Sequence, residues 1–469
     1  MRRVTLILAA IGLVAASCTS DAPEVLSREL ATVTSTPPTV TTLSSPETTV
    51  MAPEEVAAID TDGVTVTDDT IYVGLLTDLT GPFSGNVLDI VDAQIAFWRK
   101  LNDEGGIAGR RVELLIADTT YAVDTHREEY ERLRDRVVMF SHSTGAPHTL
   151  GIAADLVADD RLVVPATWYS GWSDTAAGAN VLETGSNYCL EAMNALTFLS
   201  EDFAATDGAA PTIAIATNPG HYGQDSAAGA KHAAEQLGLT IAYDGEAAIT
   251  GADSVPGIAA AIAQANADWT WITTDPITLA QVVGGAVQLG YEGKWSGAMP
   301  SFSPRLLDTA LGPYLSANYI LSALFSPLGA DVEGMDEIMA VLTEAYPDRF
   351  PSDGVVAGYL EYSAARQVLE EAAAAGDLTP AGVVAAAGRL DELSFGGVGP
   401  VNRYSGDPNA DVSRATALYR PDKALFDAQG GLAATFGGGA VSAFTLIQDF
   451  AVAPLAADYD FQGPCYQPG

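Results

Sequence analysis

Strand-like apolar runs alternate with helix-like segments along most of this chain, and the alternation occurs twice. Residues 71–76 are almost continuously apolar, which is typical of a parallel strand covered on both faces. The first series of predicted strands lies at 71–76, 112–117, 137–140 and 162–166, and a helix is predicted over 88–98. The second series lies at 212–217, near 239, at 269–273 and at 294–298, with helices at 222–237, 255–265 and 278–289. Such alternation predicts doubly wound parallel sheets.

The length of this part of the chain predicts two lobes. Roughly 400 residues follow position 69, which is more than one hydrophobic core usually serves. A helical stretch over 353–375 follows the second series and carries an apolar face. We expect this helix to pack back on the first lobe. The predicted fold class is therefore α/β, with two doubly wound parallel-sheet lobes.

The first residues have the order of an export signal. Met1 is followed by two arginines, a mostly apolar stretch over 4–16, Ser17 and Cys18. The stretch is shorter than the roughly 20 apolar residues of a membrane-spanning helix. Residues 15–18 resemble the cleavage box of bacterial lipoproteins, which implies that Cys18 becomes lipidated and anchors the exported chain to the outer face of the cell membrane. The alternative is an ordinary signal peptide with an incidental cysteine.

The segment after the predicted signal peptide, residues 1–17, has a different composition. Residues 18–69 are rich in Thr, Ser, Pro and Val and show no sustained helical or strand period. Such a composition cannot build a core, so we expect a flexible linker here.

The net charge and the number of cysteines limit which binding partners and which disulfide bonds are expected. The chain has 60 acidic and 22 basic residues and a formal net charge of -38, without the clustered Lys and Arg that bind phosphates, so no nucleic acid partner is expected. If Cys18 carries lipid, two of the three cysteines remain. Outside the cytoplasm, Cys189 and Cys465 are then expected to form one disulfide, and two buried free thiols are the alternative.

Two segments carry a resemblance to a known family. Residues 71–85 read IYVGLLTDLTGPFSG, and residues 101–114 read LNDEGGIAGRRVEL. Together they resemble the opening of the branched-chain amino acid (leucine/isoleucine/valine) binding family, the substrate-binding proteins of ABC transporters with the type I periplasmic binding fold. Three features depart from the expected pattern: Asp118-Thr-Thr stands where paired aspartates are commoner, Ala15 stands where the lipoprotein box prefers Leu, and the tail beyond 437 is longer. We expect the tail to return to the second lobe and carry Cys465 toward Cys189.

The resemblance implies a hinged pair of lobes that close on one small ligand. The three hinge crossovers are expected near 185–188, 325–329 and 395–400. Lobe 1 would then comprise 70–187 and 328–398, and lobe 2 would comprise 188–327 and 399–469. The partners implied are a permease and separate ATPase subunits, and we expect a monomer without cofactors.

The resemblance also places a ligand loop after the strand that ends near Phe140. Ligands of doubly wound sheets bind outside the carboxyl ends of the strands. Free backbone amides and the hydroxyls of Ser143 and Thr144, together with Gly145, could hold a carboxylate at the start of a helix. An ordinary strand-to-helix turn is the alternative.

A second ligand loop and the rim of the ligand site are also expected on the first lobe. By position in the family, Ala166 and Thr167 would offer a carbonyl and a hydroxyl to an ammonium or amide group. Trp168 and Tyr169 would be pocket walls, with packing inside the lobe as the alternative. The loop over 80–85 would place Phe83 and Ser84 at the rim.

Three candidates come from the second lobe. Tyr222 matches a family position that stacks on or hydrogen-bonds the ligand. Asp275 could receive a ligand ammonium group, although a solvated helix-cap aspartate is the competing interpretation. Met299 lies at the last cleft loop and is a weaker candidate.

Motifs for enzyme chemistry are missing from the sequence. The five histidines form no HExxH motif and no metal-ligand spacing with cysteine, so no metal site is expected. There is no nucleophile elbow, dinucleotide fingerprint or phosphate-binding loop. The sequence therefore favours a non-catalytic protein that captures a small polar solute, an amino acid or a related amide or organic acid. A sensory binding module and, with less support, an exported enzyme are the alternatives.

Overall fold

The structure is a computed structural model that describes residues 58–390, 392–439 and 442–467. The predicted signal peptide, most of the predicted linker and Cys18 lie outside these residues. Within the described part, no helix combines the length and the apolar character needed to cross a bilayer.

A sheet of four parallel strands forms the first lobe, in the order β2-β1-β3-β4. Its elements along the chain are β1 (Thr70–Thr77), α1 (Ser84–Asp103), β2 (Arg111–Asp118), α2 (Val123–Leu133), β3 (Met139–Thr144), α3 (Ala146–Ala158), β4 (Val163–Ala166) and α4 (Thr175–Gly178). Strand β3 is buried along its whole length, as expected for a strand covered on both faces. The predicted first series of strands is confirmed to within a few residues.

The second lobe contains a larger sheet of seven strands, in the order β11-β10-β9-β8-β7-β5-β6. It begins with α5 (Tyr188–Asp207), β5 (Thr212–Thr217), α6 (His221–Leu237), β6 (Thr240–Gly245), α7 (Val255–Ala265), β7 (Trp269–Thr273), α8 (Pro276–Gln288), β8 (Lys294–Gly297), α9 (Gly312–Asn318) and β9 (Tyr319–Ala323). The later elements of the chain are α10 (Glu333–Ala345), α11 (Gly354–Ala374), α12 (Pro380–Ala387), α13 (Pro408–Asp411), β10 (Thr416–Pro421), α14 (Lys423–Ala428), β11 (Phe444–Ala451) and α15 (Pro454–Ala457). Strands β5 to β9 are parallel, whereas β10 and β11 add an antiparallel edge that the sequence reading did not predict.

Helix α11 packs on the first lobe, as expected, against α1 and the strands β3 and β4. The two helices approach closely at Gly358, where an added Cβ would lie 2.4 Å from the carbonyl oxygen of Ile90. Part of the predicted linker also packs here. Val66 is fully buried, and the amide of Asp60 donates to the carbonyl of Gly376 at 2.8 Å. Val66 and the partly buried Ile59 therefore belong to the core of the first lobe.

Three crossover segments lie side by side between the lobes. The amide of Ser326 donates to the carbonyl of Val398 at 2.7 Å, which joins the second crossover to the third. Asn402 Nδ2 donates to the carbonyl of Glu183 at 2.7 Å, which joins the third to the first. The first and second also approach closely, since a Cβ at Gly185 would lie 3.3 Å from the carbonyl oxygen of Leu324. This arrangement matches the hinged, two-lobed fold that the resemblance implies.

A disulfide links Cys189 in the first turn of α5 to Cys465 near the end of the chain. The two cysteines are separated by 276 positions. The strand β11 and the helix α15 return the chain to the second lobe, where α15 packs on α5. The predicted pairing is therefore formed in the structure.

Candidate functional site

Aromatic rings from both lobes converge beside the hinge. Trp168 follows β4 of the first lobe, and its ring centroid lies 6.4 Å from that of Tyr188, at the start of α5. Tyr188 in turn lies 4.7 Å from Tyr222, in the first turn of α6. Phe325 of the second crossover packs on Trp168 at 5.5 Å. Two predicted ligand residues, one from each lobe, are thus brought against the same tyrosine.

The turn between β3 and α3 passes through Gly145. Gly145 precedes α3 with φ of 92°, a conformation that favours glycine, and Pro147 lies in the first turn of the helix. The hydroxyl of Ser143, however, points into the lobe, 3.2 Å from His126 Nε2 and 2.7 Å from Thr149 Oγ1. Burial lowers the pKa of His126 to about 3, so this ring is neutral. The Ser143 hydroxyl is therefore engaged inside the lobe, and a ligand role for Ser143 stays a prediction.

Thr144 joins a buried polar chain that spans the first lobe. Its hydroxyl lies 2.6 Å from His142 Nε2, and His142 Nδ1 lies 2.8 Å from Glu361 Oε2 on α11. Gln94 Nε2 on α1 donates to the same carboxylate oxygen at 2.7 Å. Burial raises the pKa of Glu361, while the neighbouring imidazole favours its charged form. The network fixes the end of β3 to two helices.

The loop after β4, residues 167–173, is called the β4 loop here. Some of its side chains are candidate ligand residues, and others pack inside the protein. Ala166 is paired with Thr144 at the ends of β4 and β3. Thr167 and Trp168 are both 7% exposed, and Trp168 Nε1 has no hydrogen-bond partner among the described residues. Trp172, in contrast, donates from Nε1 to the carbonyl of Thr167 at 3.1 Å and braces the loop from within. Tyr169 is 2% exposed, and its hydroxyl donates to the carbonyl of Tyr466 at 2.6 Å.

The rim contains a tyrosine that the sequence reading missed. Phe83 is 38% exposed and directly precedes α1, which begins at Ser84. The ring of Tyr121 lies 4.5 Å from that of Phe83 and covers Gly145, where an added Cβ would lie 2.9 Å from Tyr121 Cε2. Tyr121 has φ of 54°, an unusual value for a non-glycine residue that often marks a functional loop. The only feature of the sequence that could have drawn attention to Tyr121 was the unusual Asp118-Thr-Thr segment just before it.

The second-lobe face is organised around Tyr222. Its hydroxyl lies 2.9 Å from Ser301 Oγ and donates to the carbonyl of Thr274 at 3.3 Å. The amide of Met299 donates to Glu191 Oε1 at 3.0 Å. Glu191 is fully buried, and burial raises its pKa to about 8. The sequence reading also missed Glu191, because it did not identify the first turns of α5.

Asp275 lies at the start of α8 and is exposed. Its Oδ1 accepts hydrogen bonds from the amides of Ile277 and Thr278, both at 3.0 Å. This is the helix-cap geometry that the sequence analysis gave as the competing interpretation. A ligand role for Asp275 stays a prediction, as do the roles of the other candidates. No cluster of three or more potential metal ligands occurs within the part of the chain described.

Comparisons with known proteins agree on the fold. A family model described as periplasmic binding protein matches residues 70–424. No curated protein sequence matches the chain. Among solved structures, a fatty acid ABC transporter substrate-binding protein from Thermomonospora curvata aligns with a TM-score of 0.73 and 24% identity, over 86% of this chain and 97% of its own.

Two further structures have lower identity. A substrate-binding protein of an ABC transporter from Aeropyrum pernix gives a TM-score of 0.68 at 18% identity, over 83% of this chain and 98% of its own. A branched chain amino acid ABC transporter protein from Thermus thermophilus, solved with bound valine, gives 0.67 at 16%, over 83% and 97%. At such identities the likeness shows the fold alone.

Proposed function

Because the chain belongs to the periplasmic binding protein family, we propose that it is the exported solute-binding component of an ABC transporter and captures one small polar solute between its lobes. The observation that carries this proposal is the convergence of Trp168 and Tyr222, one from each lobe, on Tyr188 beside the three crossovers. Closure about such a hinge would bury a solute between the facing loops. The protein itself would catalyse no reaction.

The chemistry of the two faces favours a solute with an anionic head and a partly apolar body. The backbone amides of Gly145 and Ala146, at the start of α3, could donate to a carboxylate or amide oxygen. The rings of Trp168, Tyr121 and Tyr222 offer apolar surface with polar edges. We therefore propose an amino acid or a related amide or organic acid as the ligand, with Thr167 and Tyr222 as hydrogen-bonding side chains.

The partners follow from this role. A permease with separate ATPase subunits would receive the closed form, and lipid on Cys18 would keep a monomeric protein at the outer face of the membrane. Isolation of the mature protein and mass spectrometry of its amino end test the anchor. A diacylated Cys18 is the expected species, and an unmodified amino end would leave the protein without this anchor.

Calorimetry tests the ligand class. Purified protein is titrated with the amino acids, short amides, aromatic acids and, because the Thermomonospora relative is named for fatty acids, a medium-chain fatty acid. One saturable solute from the first three groups is expected. Saturation by the fatty acid alone would leave solute capture intact and overturn the ligand class, whereas a folded protein that binds none of these compounds would contradict the proposed function.

Substitution of Tyr222 tests the second-lobe face. Tyr222→Ala should weaken solute binding about tenfold or more, the effect of losing one hydrogen bond to a charged group. Tyr243→Ala is the matched control, since Tyr243 is a partly buried tyrosine on β6, at the far edge of the same sheet. Equal affinity of the Tyr222 variant and the control would remove Tyr222 from the site.

A further inference from the structure

The C-terminal tail, defined here as residues 458–467, is first held by the second lobe. Phe461 is 4% exposed, and its carbonyl accepts a hydrogen bond from Asn409 Nδ2 at 2.9 Å. Arg414 Nη1 donates to the carbonyl of Tyr459 at 2.9 Å. The ring of Tyr459 also packs against His232 of α6 at 4.9 Å. These contacts direct the tail toward the start of α5.

The disulfide then fixes the tail beside the first crossover. Cys189 is fully buried and directly follows Tyr188, the tyrosine on which the two candidate faces converge. Its bond to Cys465 holds the adjacent residue, Tyr466, next to the first lobe. The end of the tail is thus covalently attached where the lobes meet.

One buried hydroxyl joins the tail to both lobes. Ser170 of the β4 loop is fully buried and accepts a hydrogen bond on Oγ from the amide of Cys465 at 2.8 Å. The same hydroxyl donates to Asp225 Oδ1 on α6 of the second lobe. The amide of Ser170 donates to Asp225 Oδ2 at 3.0 Å. The first-lobe loop, the second-lobe helix and the tail therefore share a single set of hydrogen bonds.

The neighbouring residue makes a second contact between the same three segments. The hydroxyl of Tyr169 donates to the carbonyl of Tyr466 at 2.6 Å. The ring of His221, the first residue of α6, lies 4.8 Å from Tyr169 and 5.9 Å from Tyr466. Tyr169 and Ser170 directly follow Thr167 and Trp168, the proposed ligand residues of the β4 loop. The tail thus contacts the two residues that directly follow the proposed ligand residues of this loop.

We propose that the disulfide-anchored tail is a clasp that fixes the β4 loop of the first lobe against α6 of the second, with Cys465 and Tyr466 as positioning residues for Thr167 and Trp168. This goes beyond the proposed solute binding, because the clasp acts in the protein without ligand. The physical reason is that Trp172 braces this loop only from within the first lobe, whereas the tail and α6 hold it from the second lobe. Without the tail, Ser170 would lose its hydrogen bond from the amide of Cys465 and would keep its bonds to Asp225. Those bonds join two lobes that can rotate relative to each other.

Hydrogen exchange of the ligand-free, disulfide-bonded protein tests the clasp through a substitution that removes one oxygen atom. Tyr169→Phe deletes the bond to the carbonyl of Tyr466 and keeps the ring, the disulfide and both bonds of Ser170 to Asp225. The peptide that spans 167–173 should exchange about tenfold faster, as expected for the loss of roughly one hydrogen bond of local stability. Tyr130→Phe is the matched control, because the Tyr130 hydroxyl donates to Asp159 within the first lobe. Unchanged exchange in 167–173 in the Tyr169 variant would overturn the proposal.

A second variant releases the tail itself. In Cys189→Ala/Cys465→Ala, exchange of the peptide 167–173 should increase more than exchange of the buried strand β7, which reports the stability of the second lobe. An equal increase in both peptides would show that the disulfide stabilises the whole protein without positioning the loop, which contradicts the clasp. If this variant does not fold, the Tyr169 comparison decides alone. No solute is added in either experiment, so failure of the clasp leaves the binding proposal to its own test.

Discussion

Buried carboxyl groups make the stability of this protein depend on pH. Burial raises the pKa of Glu191 to about 8 from 4.5, and burial and nearby Asp225 raise that of Glu183 to about 8 as well. Burial also raises the pKa of Asp225 to about 7. Between the unfolded and folded values, the folded chain binds more protons than the unfolded chain. The free energy of unfolding therefore falls as pH rises through this interval.

Histidines act in the opposite sense over a different interval. Burial lowers the pKa of His126 to about 3 and also lowers those of His148 and His221. Their effect is confined below about pH 6.5, where unfolded histidines bind protons. Above pH 7 the buried carboxyl groups determine how the free energy of unfolding changes with pH.

Urea unfolding between pH 7 and 8.5 measures the slope of this dependence. The free energy of unfolding should decrease by about 1 kcal/mol for each carboxyl group that ionises. Glu191→Gln keeps an acceptor for the amide of Met299 and removes one ionisation, so its slope should be shallower than that of the wild type. Glu235→Gln, at an exposed position on α6, is the control and should keep the wild-type slope. A Glu191 variant with the wild-type slope would refute the assignment.

Single residues of the site were predictable only where the chain carries a local signal. Gly145 and Thr167 follow strands whose apolar runs are visible in the sequence, and in the structure Gly145 lies against Tyr121 while Thr167 directly precedes Trp168. Tyr121 and Glu191 were not predictable in this way, because their positions depend on a strained turn and on a helix packed across the sheet. The inward bonds of Ser143 likewise depend on α2 and α3, which no local pattern brings together.

Helices α1 and α11 hold the first lobe by a close backbone contact. A Cβ at Gly358 would lie 2.4 Å from the carbonyl oxygen of Ile90 and 2.8 Å from the Cβ of Ala93. Gly358→Ala should therefore force the helices apart and lower the free energy of unfolding by about 1–3 kcal/mol. Chemical denaturation measures the change.

Gly257→Ala is the matched control, because it adds the same methyl group where there is free space. Gly257 lies within α7, and an added Cβ there would meet nothing within 4 Å. Gly257→Ala should raise the free energy of unfolding by up to about 1 kcal/mol, because alanine restricts the unfolded chain and favours helix. Destabilisation of equal size at both positions would show that the α1–α11 contact has no special role.

Elements with a strong apolar pattern were predicted well, and elements defined by tertiary pairing were not. The predicted bounds of β5 and α7 agree with the structure, because each is a compact apolar segment between polar turns. Strands β10 and β11 form an antiparallel edge, and β11 has a single buried residue, Phe444. Such a strand has no sustained two-residue period, so only its pairing with β10 defines it.

Two sheets are joined by three adjacent crossovers, and candidate ligand residues of both lobes, Trp168 and Tyr222, meet at Tyr188 beside them. The clasp is attached at Cys189, directly after the first crossover. The family match and the shared fold support this architecture, which the two series of strands and helices, the length of the chain and the family resemblance predicted together.

Small-angle X-ray scattering, with and without the solute identified by calorimetry, tests closure most directly. The account predicts a smaller radius of gyration at saturation, because the lobes rotate toward each other around the bound solute. An identical scattering profile at saturating solute would contradict capture between moving lobes.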